Sequence, residues 1–330
     1  MINYIQLLIL IFIYKILIFI FKIFLELKKS KNFQYFNIEK NKIEYEHRCL
    51  LNRIIITIQK FNFIKNNSIF FQLFSKFANY LYQDSYVKFI DKNKHPIREI
   101  KKFCKNNGIN YDENNWIWKK KPIEFESIND FFMRRLKNEI IEQNFIVSPV
   151  TGIVIKYKSI YDIGVSIKGD TFNNLLLNDQ NLISNTCYYF YLSPADYHCF
   201  HSPIEGFIEN IEDLRFTNVC SGSVKPDLLN SKPNIIFFNK RYIITLRKDN
   251  FKLMMVIIGG FNTDSIIIDS KIIKGSKINK GDYIGSFGIG GSAVLLLTNT
   301  NILIDAKLDT HFENKKIPIK IHMGENFGKI

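Results

Sequence analysis

Ser292 stands behind two glycines in Phe287-Gly288-Ile289-Gly290-Gly291-Ser292-Ala293-Val294, and an apolar run to Leu297 follows. Glycine has no side chain to shield its carbonyl, so a hydroxyl on the next residue can reach it. The flanking pattern reads as a turn leading into a buried strand. A serine placed this way can attack its own backbone. Gly-Ser before a strand is also an ordinary turn, so the weight of the motif depends on what accompanies it. Upstream, Tyr191-Leu-Ser-Pro-Ala-Asp-Tyr-His-Cys-Phe-His-Ser-Pro203 puts His198 and His201 three residues apart between two prolines. The prolines oppose a long helix and leave an extended stretch with a turn, a common carrier of chemistry on a rigid scaffold. Serine is a poor nucleophile at its free pKa and needs a base within hydrogen-bond reach, itself oriented by a third group. Paired histidines also suit zinc, but no Cys-x-x-Cys, no His-Glu-x-x-His and no carboxylate ladder completes a metal site, and none is expected. Cys199 lies between the histidines without the rest of a Cys-His-Asn arrangement. The five cysteines, Cys49, Cys104, Cys187, Cys199 and Cys220, are an odd number without paired spacing and read as free thiols. An ordinary serine hydrolase is disfavoured by the lack of a Gly-x-Ser-x-Gly elbow.

The elements that must hold these groups carry two internal echoes. Ser148-Pro-Val-Thr-Gly-Ile-Val154 and Ser202-Pro-Ile-Glu-Gly-Phe-Ile208 share Ser-Pro-aliphatic-x-Gly ahead of apolar residues, with Glu205 in the place of Thr151. Gly281-Asp-Tyr-Ile-Gly285 and Gly324-Glu-Asn-Phe-Gly328 form the second pair. Repeated turn-then-strand units predict short strands folded on one another in a sandwich-like β domain, here assigned to residues 138–330. Before it, residues 30–137 read as a linker and a helical region. Ile69 to Tyr82 has helical spacing with a broad apolar face, and Ile97 to Lys105 predicts a helix closed by Gly108. The fold class is therefore α+β: an N-terminal membrane helix, a small helical region and a β-rich catalytic domain.

Residues 1–29 are the expected anchor. From Ile5 to Leu27 the chain is almost entirely Leu, Ile, Phe and Tyr, interrupted by Lys15, Lys22 and Glu26. That is long enough to span a bilayer, which takes about 20 residues, although a mid-span lysine costs about 2.5–3.5 kcal/mol on insertion scales. Lys15, Lys22 and Lys29 fall on one helical face, so the segment either spans with snorkelling lysines or lies in the interface. No Ala-x-Ala-like site follows it, and Arg and Ser are too scarce for a mitochondrial presequence. The expected location is the endoplasmic reticulum or another secretory membrane, ahead of the mitochondrial inner membrane. The net charge of +14 is carried mostly by lysine, with only 8 arginines among 45 basic residues. So diffuse a field suits an anionic membrane, and no nucleic-acid motif accompanies it.

Taken together with Ser127-Ile-Asn-Asp-Phe-Phe-Met-Arg-Arg-Leu-Lys137 and Val147-Ser-Pro-Val-Thr-Gly152, the histidine and Gly-Gly-Ser blocks resemble the phosphatidylserine decarboxylase proenzyme family, in the right order from about Ser68 to the C-terminus. The resemblance implies a cofactor made from the chain itself. Ser292 attacks the carbonyl of Gly291, the resulting ester eliminates, and the cut leaves a pyruvoyl group at the head of a short α chain that stays associated with a long β chain. The pyruvoyl ketone is the electron sink for decarboxylation of phosphatidylserine, drawn from an anionic membrane, to phosphatidylethanolamine. On the same resemblance His201 is the base for self-cleavage and His198 serves decarboxylation. The family's Ser-Pro-Val-Asp-Gly has its aspartate where this chain has Thr151. A threonine can hold an imidazole tautomer but lends it no charge. Asp196 and Glu205 are the carboxylates close enough in sequence to substitute. If nothing substitutes, the alternative is an uncleaved, membrane-anchored pseudoenzyme of the same fold that binds lipid or a partner.

Overall fold

A computed structural model describes residues 33–46, 96–112, 117–143, 145–158, 186–214, 240–260, 266–290, 292–314 and 317–330. The expected anchor over residues 1–29, the expected helix over 69–82 and Gly291 lie outside the described residues. Within them, no helix is long and apolar enough to cross a membrane.

The chain forms β1 (Gln34–Asn37), β2 (Lys42–Tyr45), α1 (Pro96–Asn107), α2 (Ile128–Phe132), β3 (Ile146–Val147), β4 (Gly152–Tyr157), β5 (Cys187–Leu192), β6 (Cys199–His201) and β7 (Gly206–Leu214). It continues through β8 (Arg241–Lys248), β9 (Phe251–Gly259), β10 (Ile266–Ile268), β11 (Lys277–Ile278), β12 (Tyr283–Phe287), β13 (Ser292–Thr298), β14 (Leu303–Ile304), α3 (Ala306–Asn314), β15 (Ile319–Ile321) and β16 (Asn326–Lys329). The β-rich α+β class holds. The helix expected from Ile97 is α1, and Gly108 follows it directly.

Ten strands make one large sheet in the order β11-β7-β8-β9-β13-β5-β4-β15-β1-β2. Every pair in it is antiparallel except β1 with β15. Its central strands lack hydrophobic alternation because both faces are buried. On β13, Val294 and Leu296 share one core with Phe190, Leu192, Met255 and Ile257, while Ala293, Leu295 and Leu297 share another with Tyr189, Tyr191 and Val256. Two three-stranded sheets, β10-β12-β6 and β14-β16-β3, contribute Phe200, Ile284, Phe287, Ile146 and Phe327 to the first core, which makes the sandwich. The expected linker is partly sheet: residues 34–45 form the β1–β2 hairpin, in which only Phe36 among the apolar residues is buried, so its short strands carry no clear apolar alternation.

Both sequence echoes are structural repeats. Ser148 Oγ donates to Val150 O at 2.8 Å and Ser202 Oγ to Ile204 O at 2.6 Å, closing the same turn ahead of β4 and β7. Gly281 and Gly324 open β12 and β16 at φ of 84° and 87°, where a side chain would be strained. The two units then clasp each other through matching bonds. Val147 N–H reaches Pro203 O at 3.0 Å and His201 N–H reaches Pro149 O at 2.9 Å; Ser148 N–H and Ser202 N–H reach Glu325 O and Asp282 O, both at 2.8 Å. His201 in one unit therefore corresponds to Val147 in the other, and Glu205 to Thr151.

Candidate active site

Ser292 is the first residue of β13, in register with Leu192 at the end of β5 and Gly259 at the end of β9. Gly152, where β4 begins, pairs with Ile321, where β15 ends, so strand ends converge on one edge of the sheet. Alternation along β13 puts Ser292 on the face of Val294 and Leu296, toward the layer that contains β6. Gly290, two residues before it, adopts φ 155°, a conformation L side chains rarely reach. Ser292 is 0% exposed, and its Oγ makes no hydrogen bond among the described residues. Leaving a buried hydroxyl unpaired costs about 1–3 kcal/mol, and such groups occur where chemistry requires them.

The segment leading to Ser292 is tied to the histidines. Phe287 N–H donates to His198 O at 2.8 Å, and Ser286 is in register with Cys199. From the helical side, Asn129 Oδ1 on α2 accepts Ile289 N–H at 2.9 Å. Ser127 caps α2 by accepting Asp130 N–H at 3.0 Å, which lets a five-residue helix aim Phe131 and Phe132 inward. The Phe132 ring lies against His198 with centroids 3.7 Å apart. Arg134, just past the helix, donates to Ala195 O at 3.0 Å and Asp196 O at 2.9 Å. Phe131 and Phe132 belong to a third core with Ile100, Cys104, Trp118, Tyr197, Cys199 and Ile289, a helical cover over the histidine segment.

Both imidazoles are buried, each 1% exposed. His198 Nδ1 lies 2.8 Å from Asp196 O, and His201 Nδ1 lies 2.9 Å from Gly281 O. A carbonyl only accepts, so each Nδ1 carries the proton and each Nε2 presents a lone pair. His201 Nε2 receives the phenol hydrogen of Tyr197 at 3.0 Å. Burial holds both histidines below their ordinary pKa, His198 well below it, with the Arg134 charge as the next cause at His198. Burial also raises the Tyr197 phenol far above its usual value and the Cys199 thiol to about 11, so neither ionises near neutrality. Cys199 is thus a buried thiol donating to Met133 O and Arg134 O at 3.6 Å, unsuited to nucleophilic attack.

The structure does not give His201 a carboxylate partner at Nδ1. Thr151 is buried, and its Oγ1 accepts Met323 N–H at 3.0 Å. It stands two residues beyond Pro149, whose carbonyl holds the His201 backbone, but the Gly281 carbonyl occupies the place at the ring where a third member would bind. Neither proposed substitute acid fills it. The Asp196 carboxylate pairs with Lys320 and accepts Ser193 N–H at 2.8 Å and Ser193 Oγ–H at 3.0 Å, so its link to the site is its backbone carbonyl. Glu205, with a side chain 60% exposed and paired to Lys248, stands two residues beyond Pro203, whose carbonyl holds the backbone of Val147 and not that of His201. Arg134, Tyr197, Asn129 and Phe132 are the site residues that a search for paired catalytic side chains overlooked. Phe132, Arg134 and Tyr197 lie within the Phe-Phe-x-Arg and Asp-Tyr-His blocks, and Asn129 stands two residues ahead of the first, where a charged residue amid aromatics was the available signal.

A family model described as phosphatidylserine decarboxylase matches residues 128–329, a span that begins at α2 and includes Asn129, Phe132, Arg134, Thr151, both histidines and Ser292. The chain belongs to the phosphatidylserine decarboxylase family. Membership makes it a carboxy-lyase. Phosphatidylserine decarboxylase proenzymes similar to it include that of Chlamydia muridarum, 29% identical over 320 residues, or 91% of this chain and 98% of the relative. The proenzyme of Clostridium novyi is 32% identical over 74% of this chain and 83% of its own length. That of Fusobacterium nucleatum is 33% identical over 63% of this chain and 72% of its own.

Proposed function

We propose that this chain cuts itself between Gly291 and Ser292 and, with a pyruvoyl group made from Ser292, decarboxylates phosphatidylserine to phosphatidylethanolamine. The observation that carries this reading is the fully buried, unbonded Ser292 hydroxyl at the head of β13, tied through β12 and Asn129 to two neutral histidines. An orphaned hydroxyl after a glycine fits a residue that is consumed in making the group. When formed, the pyruvoyl ketone supplies an electron sink for the carbon that loses carbon dioxide.

The steps assigned to this chain's residues follow from the lone pairs. In maturation, Ser292 Oγ bonds to the Gly291 carbonyl carbon, the Gly291–Ser292 C–N bond breaks, and His201 Nε2 takes the hydroxyl proton once Tyr197 releases it. The proton passes on to the freed Ser292 amine. Elimination then takes the proton from Ser292 Cα and expels Oγ as part of the Gly291 carboxylate, leaving a dehydroalanine; its imine tautomer takes up one water, releasing ammonia and leaving the ketone. His198, with Nε2 unprotonated and Phe132 excluding water from one ring face, handles protons in decarboxylation. The 39-residue α chain, Ser292 to Ile330, remains bound because β13 pairs on both edges and buries Val294, Leu295, Leu296 and Leu297, each contributing about 1.5–3 kcal/mol. Its substrate is drawn from an anionic membrane to which residues 1–29 anchor the chain, in a secretory-pathway membrane such as the endoplasmic reticulum.

Intact-mass measurement of the purified chain tests the proposal. Two fragments are expected, the smaller short of a serine-headed Ser292–Ile330 peptide by one ammonia in exchange for its amine. Ser292→Ala should abolish both the cut and the release of carbon dioxide from phosphatidylserine. A wild-type chain that stays whole and inactive defeats the proposal and leaves a lipid-binding pseudoenzyme.

A further inference from the structure

We infer that Arg134 is a positioning residue for His198: its guanidinium fixes the Asp196 carbonyl that holds the imidazole Nδ1–H, which leaves Nε2 as the basic atom of the ring. The inference deepens the reading of His198 as a group of the decarboxylation site and rests on it for its catalytic consequence.

Arg134 is 1% exposed, and no carboxylate pairs with it among the described residues. Its compensation is of another kind. The guanidinium carbon lies 4.5 Å from the centre of the Trp118 ring and 4.7 Å from that of Phe131. One terminal nitrogen donates to Phe131 O at 3.3 Å, the other to Ala195 O at 3.0 Å and Asp196 O at 2.9 Å. Burial lowers its pKa to about 10, so it stays charged at neutral pH. Burying a cation without an anion is costly, several kcal/mol per ion even after relaxation, and an apolar side chain of similar volume would pack the same space more cheaply. What the charge and fork add is the anchoring of the turn from Ala195 to His198. Asp196 O receives both Arg134 Nη2–H and His198 Nδ1–H, one on each lone pair.

The charged groups facing His198 agree with this role. Arg134 acts from the α2 side and Lys320 from β15, and both oppose protonation of the ring. The Asp196 carboxylate, which could favour protonation, is occupied by Lys320 and Ser193. The remaining neighbour from α2 is the uncharged Phe132 ring. A ring held neutral with its tautomer fixed is ready to take or relay a proton at Nε2 at working pH.

Histidine NMR on the full-length Ser292→Ala chain in detergent tests this without reference to turnover, with the His198 signal identified by its loss in His198→Gln. Against this parent, Arg134→Met is expected to raise the His198 titration midpoint by about one unit and to mix its tautomers. Arg134→Lys is expected to keep the midpoint low but still mix the tautomers, since one ammonium cannot span the carbonyls the fork spans. In the chain with Ser292 intact, Arg134→Met should still cut, with the rate of carbon dioxide release reduced tenfold or more. An unchanged midpoint and tautomer in a folded Arg134→Met overturns the inference; if that variant does not fold, an unchanged tautomer in Arg134→Lys overturns it. Failure of the functional reading would look different: His198→Ala would release carbon dioxide normally while the NMR shifts persisted.

Discussion

Tyr197→Phe should make the chain cut itself faster. In the structure the Tyr197 phenol donates to His201 Nε2 at 3.0 Å, on the same lone pair that must accept the Ser292 proton. The phenol stays protonated because burial raises its pKa, so it blocks the base as a neutral donor. A buried hydrogen bond of this type contributes about 0.5–1.5 kcal/mol net, and it must be given up before His201 can act. At about 1.4 kcal/mol per factor of ten, removing it should accelerate self-cleavage roughly two- to twelvefold. The ring remains, so its stacking with Trp118 at 6.3 Å and its place in the helical cover are kept. Pulse-labelled chain made in a cell-free system and resolved by denaturing electrophoresis gives the half-life of the precursor. A longer half-life in Tyr197→Phe, with an unchanged melting temperature, would refute the reasoning and make Tyr197 a proton carrier between Ser292 and His201.

His201→Ala should accumulate whole precursor on the same gels, whereas His198→Ala should still yield both fragments but release little carbon dioxide; identical behaviour at both steps would contradict the division of roles. Because burial depresses both histidine pKa values, the unfolded chain binds more protons than the folded one in mild acid, so stability is full above the ordinary histidine value of about 6.5 and declines as pH falls below it. Thermal melts between pH 7.5 and 5 should show this decline, and it should be smaller in His198→Gln. Thr151→Asp should shorten the cleavage half-life about tenfold, since a carboxylate in the turn that holds the His201 backbone would favour the imidazolium by about 1–1.5 kcal/mol through space while the Gly281 carbonyl keeps Nδ1. A half-life equal to wild type would put position 151 outside the reaction centre.

How much of this was legible in the chain depends on where the information is local. Ser292 and the two histidines could be singled out as candidates because Gly-Gly-Ser and His-x-x-His are each compact local patterns, and α1 was readable because its period and Gly108 are local signals. The turns at Ser148 and Ser202 were readable because their residue types dictate their geometry. The β1–β2 hairpin was not, since it is held by pairing with β15 nearly three hundred residues downstream, a contact no local pattern encodes. Nor was the Nδ1 partner of His201 readable. That partner is a main-chain carbonyl eighty residues away, and carbonyls have no identity in a sequence. Asp196 shows the same limit from the other side: its carboxylate drew attention, while its carbonyl makes the contact.

The repeat explains why the chemistry appears once although the scaffold appears twice. Each unit supplies an edge strand, a Ser-Pro turn and a glycine-opened strand, and the two clasp through equivalent backbone bonds. Only one unit places histidine at the end of its edge strand, and there the positive-φ glycine turns a carbonyl onto the ring; the other has Val147, and the carbonyl of its glycine, Gly324, accepts the Glu142 backbone N–H. Thr151 and Glu205 are likewise counterparts, so a carboxylate at 205 cannot make up for one missing at 151: it is held on the wrong side of the clasp, in solvent, against Lys248. A carbonyl dipole does hold the tautomer but stabilises an imidazolium less than a carboxylate would. Decarboxylation, repeated at every turnover, would expose that weakness in its rate. Self-cleavage is required once per molecule, and an imidazole kept neutral by burial, with its lone pair capped by Tyr197, is a base slow enough to let the chain fold before it cuts.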